Sequence, residues 1–335
     1  MAGIISYAAS LPTLRLPAGA YVEAWGSCGA RGMKQKAFCA YDEDAVTLGI
    51  DAARAALDRL GKDQPKIDAL FFGVTTPPYD EKPSAATLPT ALFDYADIRV
   101  TEITGSPQAG MQALISAIEY CAGGPGRHAL AIAADAPSGP PDASFEHALG
   151  AAGAAFVIGP DGAVAELTAS FGVTRETFGA RFRRHGQEAL SDLELRTRDN
   201  LASAIALGKA ASGIGKVKRI ALGADAGLMR GAGRALGQPD AVADAVWSQI
   251  GDAGSASAPF ALAAALDEMR ANETVLAAGI GGGATAGLFR AGKGLAPNRR
   301  KGVKVSALME GGRTVGYMEY LKHKRILSSR SGGQG

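Results

Sequence analysis

Three cysteines, four histidines and one serine ahead of a helical segment carry most of the nucleophile and base chemistry open to this chain of 335 residues. Cys28, Cys39 and Cys121 are odd in number and lack metal-ligand spacing, which argues against a disulfide framework and a cysteine zinc site. Cys28 and Cys39 flank a glycine-rich loop and Cys121 lies late in a helical pattern, so each reads as a small apolar residue. His128 opens a strand pattern, His147 precedes AAGAAF, His185 lies in RFRRHGQ and His323 in YLKHKRI. None has a second histidine or a carboxylate at helical ligand spacing, and no metal site is expected. Ser106 in GSPQAG offers a hydroxyl for attack on a carbonyl but has no evident base nearby; it and His185, in a basic stretch, are the substitutes the sequence offers. GIGGGATAG (279–287) lacks the Lys-Ser/Thr of a phosphate loop, so Gly281, Gly282 and Gly283 read as a loop that allows close backbone approach.

The elements that must position these residues alternate between strand and helix. Residues 4–8 read as a strand, and Asp42, Glu43 and Asp44 head a helix over 45–60 with Val46, Ile50, Ala53 and Leu57 on its apolar face. Strands are predicted at 67–74, 98–103, 128–135 and 150–159, with a helix after GSPQAG. The second half repeats the logic, with helices at 200–212, 228–236 and 258–269 and strands at 217–223 and 274–279. A hydrophobic fraction of 47% allows a large core, and 45 glycines with only 6% aromatics imply small-residue packing in a layered α/β protein. A net charge of +2 provides no global field toward nucleic acid or an anionic membrane, and no apolar run reaches the roughly 20 residues of a membrane helix. The few, unpaired cysteines make a reducing cytoplasm the expected location, and the N-terminus shows no basic start ahead of an apolar block.

Six stretches together resemble the 3-hydroxy-3-methylglutaryl-CoA (HMG-CoA) synthase family, especially its archaeal-type and bacterial acyltransferase-complex members. They are GIISYAASLP, AYDEDAVTLGIDAARAAL, PPYDEKPSAAT, FEHALGAAGAAFVIG, GSASAPFALAAALDEM and GGGATAGLFRAG, in the family's order and over nearly the whole chain. The resemblance implies a thiolase fold, five-layered αβαβα with two similar halves: 1–165, 166–293, and an extension over 294–335 that could dock a partner. It also implies a cysteine nucleophile at a helix N-terminus, a histidine and an asparagine that polarise a thioester carbonyl, and a glutamate acid/base.

On that alignment the cysteine position is Pro107, which has neither a nucleophilic atom nor an N–H for an oxyanion. The glutamate position is Thr75, the asparagine position is Asp252, and GADAG (223–227) holds no histidine. The expected function is therefore a non-catalytic synthase-like subunit of an acyltransferase complex, a homodimer or hetero-oligomer that meets a catalytic thiolase and an OB-fold zinc-ribbon protein. Coenzyme A (CoA) esters are the expected ligands, with no tightly bound cofactor. The alternatives are an active acyltransferase using Ser106, Asp252 and His185, and a free-standing CoA- or acyl-binding protein. The basic C-terminal stretch, with NRRKG and YMEYLKHKRIL, reads as a docking element, not a nucleic-acid site, and SRSGGQG (329–335) as a frayed end.

Overall fold

The computed structural model describes residues 2–95, 97–161, 163–176, 181–192, 197–242 and 245–327, with the backbone alone for 197–201. SRSGGQG lies outside the described residues. The chain begins with β1 (Gly3–Ser10), β2 (Leu14–Pro17), α1 (Ala18–Trp25), β3 (Gln35–Phe38) and α2 (Ala45–Asp58). Of the acidic trio, Asp44 is the cap of α2: it accepts from the Thr47 amide at 2.8 Å while the Thr47 hydroxyl accepts from the Asp44 amide at 2.7 Å. There follow β4 (Ala69–Gly73), α3 (Thr87–Leu92), β5 (Arg99–Ile103), α4 (Ala109–Ala122), β6 (Ala129–Asp135) and β7 (Ala152–Gly159). The second half holds β8 (Ala165–Thr174), α5 (Thr197–Ala210), β9 (Arg219–Ala221), α6 (Ala226–Ala235), α7 (Val246–Ile250), α8 (Ser257–Glu268), β10 (Thr274–Ile280) and β11 (Gly283–Ala291).

Pairing within the two halves follows one pattern. β4 runs parallel to β6, which is antiparallel to β7, which is antiparallel to β1. In the same way β9 is parallel to β10, β10 antiparallel to β11, and β11 antiparallel to β8. β1 and β8 meet through Gly3–Glu166 and Ile4–Ala165, joining the halves in a nine-stranded sheet of order β5-β4-β6-β7-β1-β8-β11-β10-β9.

Strand alternation then sorts the side chains into layers. Leu70, Phe72, Leu130 and Ile132 pack with α2 on one outer face, while Ala69, Phe71, Ala129 and Ala131 face the interior with α4 and α8. In the second half Ile220, Leu276 and Ala278 pack outward with Ala204 and Leu207 of α5, while Ala221, Val275 and Ala277 join the central cluster. The result is α2, half-sheet, α4 with α8, half-sheet, α5: the five-layered thiolase fold. Its central layer explains the small-residue composition, since a Cβ on Gly110 of α4 would sit 2.0 Å from the Ser255 carbonyl oxygen.

From Gly294 the chain forms α9 (Leu295–Arg299), α10 (Val305–Glu310), β12 (Arg313–Thr314) and α11 (Tyr317–His323). β12 adds to β2 and β3 as a three-stranded sheet. The first seven residues of YMEYLKHKRIL form α11: Tyr317, Tyr320 and Leu321 are buried against Tyr21, Phe38 and Trp247, while Met318 stays exposed. Buried cations of the first half reach the same stretch, Arg59 Nη2 donating to the Val303 carbonyl at 2.7 Å and Arg15 Nη2 to the Leu308 carbonyl at 3.0 Å.

Candidate functional site at the ends of the central helices

The N-terminal ends of α4, α6 and α8 converge on a cavity of about 680 Å³. Ser106, Pro107 and Gln108 lead into α4, Asp225 caps α6, and Asp252, Gly254 and Ser257 lead into α8. Gly279–Gly282 close one side, and Leu222, Leu228, Trp247 and Phe182 supply apolar wall. The sequence reading of GIGGGATAG as a loop is corrected here. β10 runs through Ile280 and β11 begins at Gly283, so only Gly281 and Gly282 form the turn of a hairpin, and its tip lines the cavity. Gly282 and Gly283 have φ of +66° and +118°, which β-carbon-bearing residues disfavour. At Gly281 a Cβ would stand 2.6 Å from Pro107 Cδ, so the hairpin tip and the α4 entry share one close contact.

Pro107 sits two residues ahead of α4, in the turn closed by the Ala109 amide donating to the Ser106 carbonyl at 2.9 Å. Beside it the Ser106 hydroxyl donates to the Gly281 carbonyl at 2.6 Å and accepts from the Gln108 amide at 3.2 Å. Gln108, nearly buried, donates through Nε2 to the same carbonyl and accepts from the Thr285 hydroxyl at 2.7 Å. A serine whose proton is given to a backbone carbonyl is held as a structural clamp between hairpin and helix. The cavity lining contains Ser106, Pro107 and Asp252 but not His185, which is exposed in the turn after Phe182. The three-residue set of Ser106, Asp252 and His185 therefore does not converge. No cysteine or histidine is among the described residues that line the cavity.

Thr75 is not among the residues lining the cavity and is held by a side chain the sequence reading passed over. Asp135, fully buried at the end of β6, accepts from the Thr75 amide and hydroxyl at 2.9 and 2.7 Å, the Thr76 amide and hydroxyl at 2.7 and 2.6 Å, and the Ser255 amide at 2.7 Å. Five donors around one carboxylate satisfy its lone pairs and tie the loop after β4 to the start of α8. Its signal in the sequence is an aspartate closing an apolar strand run at the carboxyl end of a parallel strand, where sites gather in layered α/β folds.

Asp252 does not stand as an isolated anion. Its Oδ2 pairs with Arg181 Nη1 at 2.5 Å, and its Oδ1 accepts from the Gly254 amide at 2.9 Å. Arg183 two residues on donates to the Thr75 carbonyl at 2.9 Å, so the 181–192 segment is fastened to both flanks of the site. The Asp252 carboxylate therefore has a cationic partner in the wall of the cavity.

A second polar cluster lies away from the cavity. Lys36, fully buried on β3, donates to Glu146 Oε1 at 2.8 Å, and the Tyr21 and Tyr320 hydroxyls donate to the same carboxylate. Burial lowers the Lys36 ammonium to about 8, against the opposing pull of Glu146. His147 accepts from the Gly29 amide at 2.9 Å and stacks on Tyr21, with burial lowering its pKa. His128 immediately precedes β6, and the His323 ring at the end of α11 meets Tyr41 in a tilted contact with centroids 4.4 Å apart. Cys39 and Cys121 are buried and Cys28 half-buried, all outside the cavity lining, and burial pushes the Cys39 and Cys121 thiols up to about 12 and about 11. Among the described residues there is no group of three metal-ligating side chains and no helix long and apolar enough to cross a membrane.

No family model matches the chain. Over 157 residues it is 38% identical to the hydroxymethylglutaryl-CoA synthase of Pyrococcus furiosus, an alignment covering 47% of this chain and 45% of that protein. Over 194 residues it is 31% identical to the synthase of Methanosphaera stadtmanae, covering 56% and 55%. The chain thus spans about half the length of the curated relatives it matches. Among solved structures, MvaS in complex with 3-hydroxy-3-methylglutaryl coenzyme A superposes with a TM-score of 0.83 at 17% identity, over 99% of this chain and 94% of that one. PksG, an HMG-CoA synthase from Bacillus subtilis, gives 0.82 at 18% identity, over 97% and 89%. The chain is accordingly similar in sequence to HMG-CoA synthases over about half its length and has their thiolase-like fold over nearly all of it.

Proposed function

We propose that this chain is an HMG-CoA synthase-like subunit that binds CoA esters without forming an acyl-enzyme, and that it serves an acyltransferase complex beside a catalytic thiolase and an OB-fold zinc-ribbon protein. The observation that carries the reading is Pro107. The cavity at the head of α4 is built as a site, with convergent helix ends and a glycine hairpin pressed against Pro107 Cδ, yet Pro107, which lines it there, has no nucleophilic atom and no N–H.

The fit to a CoA ester rests on shape and charge. A smaller cavity of about 170 Å³ shares Ala224 and Trp247 with the main one and is flanked by Arg31 and Arg230. An acyl-pantetheine arm would occupy the main cavity, and the arginines would meet phosphate charge outside it. Partner docking is supported by the face shared by α1 and α11, where Val22, Trp25 and Met318 are exposed and Trp25 packs edge-on against Tyr317. That α11 is folded against the body makes this a surface of the folded chain and not a loose tail.

Incubation with labelled acetyl-CoA followed by intact-mass measurement tests the chemistry: the expected result is bound ester and unchanged protein mass. A covalent acyl adduct overturns the non-catalytic reading and favours the alternative, an active acyltransferase with a non-standard residue set, which the naming of the curated relatives as synthases supports. Co-expression with a thiolase and an OB-fold zinc-ribbon protein tests the assembly. A chain that stays monomeric or homodimeric and ignores both partners removes the complex from the proposal.

A further inference from the structure

Glu146 and His147 are buried side by side in a turn that lines neither cavity, and each holds a distant segment. Glu146 Oε1 accepts from Lys36 Nζ of β3 at 2.8 Å, from the Tyr21 hydroxyl of α1 at 2.9 Å and from the Tyr320 hydroxyl of α11. Lys36 also donates to the Glu146 carbonyl at 2.9 Å, which fixes the backbone of the turn. His147 Nδ1 accepts from the Gly29 amide at 2.9 Å and so ties down the loop that brings Arg31 and Gly32 to the smaller cavity. The same turn then meets the wall of the main cavity: the Asp252 amide donates to the Ala148 carbonyl at 2.6 Å and the Gly150 amide to the Asp252 carbonyl at 2.9 Å. The contact has no slack, since a Cβ on Gly150 would stand 1.8 Å from the Ile250 carbonyl oxygen and one on Gly251 2.6 Å from that of Ala148. We infer that the turn over 146–150 couples the α1/α11 face to the cavities, so that a partner on that face changes how Asp252 and Arg31 are held, and a ligand in the main cavity changes the face. The inference rests on the readings of that face as a docking surface and of the cavity as a CoA-ester site, and adds that the two act on each other.

The physical reason is close packing around a buried charge. α1 and α11 present Val22, Trp25 and Met318 to solvent and turn Tyr21 and Tyr320 inward onto Glu146. A shift of α11 moves the Tyr320 hydroxyl, and the carboxylate cannot follow it without leaving the Lys36 ammonium, which is fully buried and needs its counter-charge. Close-packed interiors pass such a displacement on instead of absorbing it, and the next backbone in line is that of Asp252. Trp247 supplies a parallel contact, lining both cavities while packing in the cluster of Tyr21, Tyr317 and Tyr320. The coupling is one free energy, felt equally from either end.

Two measurements on the full chain test it. Amide exchange is followed by NMR at Gly150 and Asp252 in Tyr320→Phe and in Tyr7→Phe, a control that loses a likewise buried hydroxyl, bonded to Asp267 Oδ1 at 2.7 Å at the end of α8 away from the cavity. Tyr320→Phe is expected to speed exchange at both amides about tenfold and Tyr7→Phe to leave them unchanged. Equal response to the two variants, or none to Tyr320→Phe, overturns the inference. The second measurement uses the chain's two tryptophans, fluorinated for fluorine NMR. Saturation with acetyl-CoA is expected to shift the signals of both Trp247, in the cavity wall, and Trp25, on the α1/α11 face. A Trp247 shift with Trp25 unmoved overturns the inference while sustaining the CoA-ester reading. No shift of either signal, with no ester bound, removes that reading, and the exchange contrast alone then decides whether the turn couples face and cavity.

Discussion

Replacing Asp135 by alanine would strip the acceptor from five donors in the loop after β4 and at the head of α8, the Ser255 amide among them buried and the rest part-buried. Unmet buried donors are costly, and the expected loss is about 3 kcal/mol or more in urea denaturation. Two glycines give a matched contrast. Gly110→Ala would place a methyl 2.0 Å from the Ser255 carbonyl oxygen, backbone that cannot yield, and is expected to cost about 3 kcal/mol. Gly19→Ala on exposed α1 meets nothing within 4 Å and is expected to stabilise by about 0.5–1 kcal/mol in the same assay. A small result for Gly110→Ala would show that the α4–α8 contact is looser than the structure has it.

At the scale of elements, the stretch from α9 to α11 is a fastening of the fold. Arg15, Arg59 and Lys36 are buried cations whose partners include Leu308 O, Val303 O and the Tyr320 hydroxyl, and Asp267 accepts from the Val305 amide at 2.7 Å. Deletion of residues 295–335 would leave those charges buried without these partners and open the Tyr21–Phe38–Trp247 cluster. The truncated chain is expected to lose its cooperative thermal transition, followed by circular dichroism. A truncated chain that melts as sharply as the full one would return this stretch to the status of an appended docking segment. Tyr320→Phe removes one donor from Glu146 and is expected to cost about 1–3 kcal/mol with the fold retained.

At the scale of the whole molecule, buried groups with displaced pKa values set how stability follows pH. The Lys36 ammonium is lowered to about 8 from an ordinary 10.5, so above pH 8 the unfolded chain holds more protons than the folded one and stability rises with pH. The Cys39 and Cys121 thiols are pushed the other way, to about 12 and about 11 from 9.0, so above pH 9 the unfolded chain loses protons that the folded one keeps and stability falls. Tyr21 and Tyr320, also raised, add to that fall above pH 10. Lys324, also lowered by burial, adds to the rise, so the expected profile rises between pH 8 and 9, levels while two thiols oppose two ammoniums, and turns down above pH 10, and Lys36→Met is expected to reduce the rise while keeping the fall. Denaturation midpoints taken from pH 7.5 to 10.5 check both limbs.

The sequence by itself determined the layered α/β class and most of the helices and strands, because strand runs such as ALFFG and the Asp44–Thr47 cap are local patterns that survive any packing. The changed residue types at Pro107, Thr75 and Asp252 were legible only through their alignment with a known family. β8 and β11 were not read as strands: β8, AELTASFGVT, does alternate apolar and polar residues and was legible, whereas the glycines that open β11 imitate a loop until the sheet pairs them. Only the tertiary structure decided that Arg181 neutralises Asp252 across 71 positions of chain, that Asp135 gathers Thr75, Thr76 and Ser255, and that His185 stays outside the cavity. Those outcomes depend on which distant segments meet, and charge and hydrogen-bond complementarity between loops leaves no periodic signal in the chain.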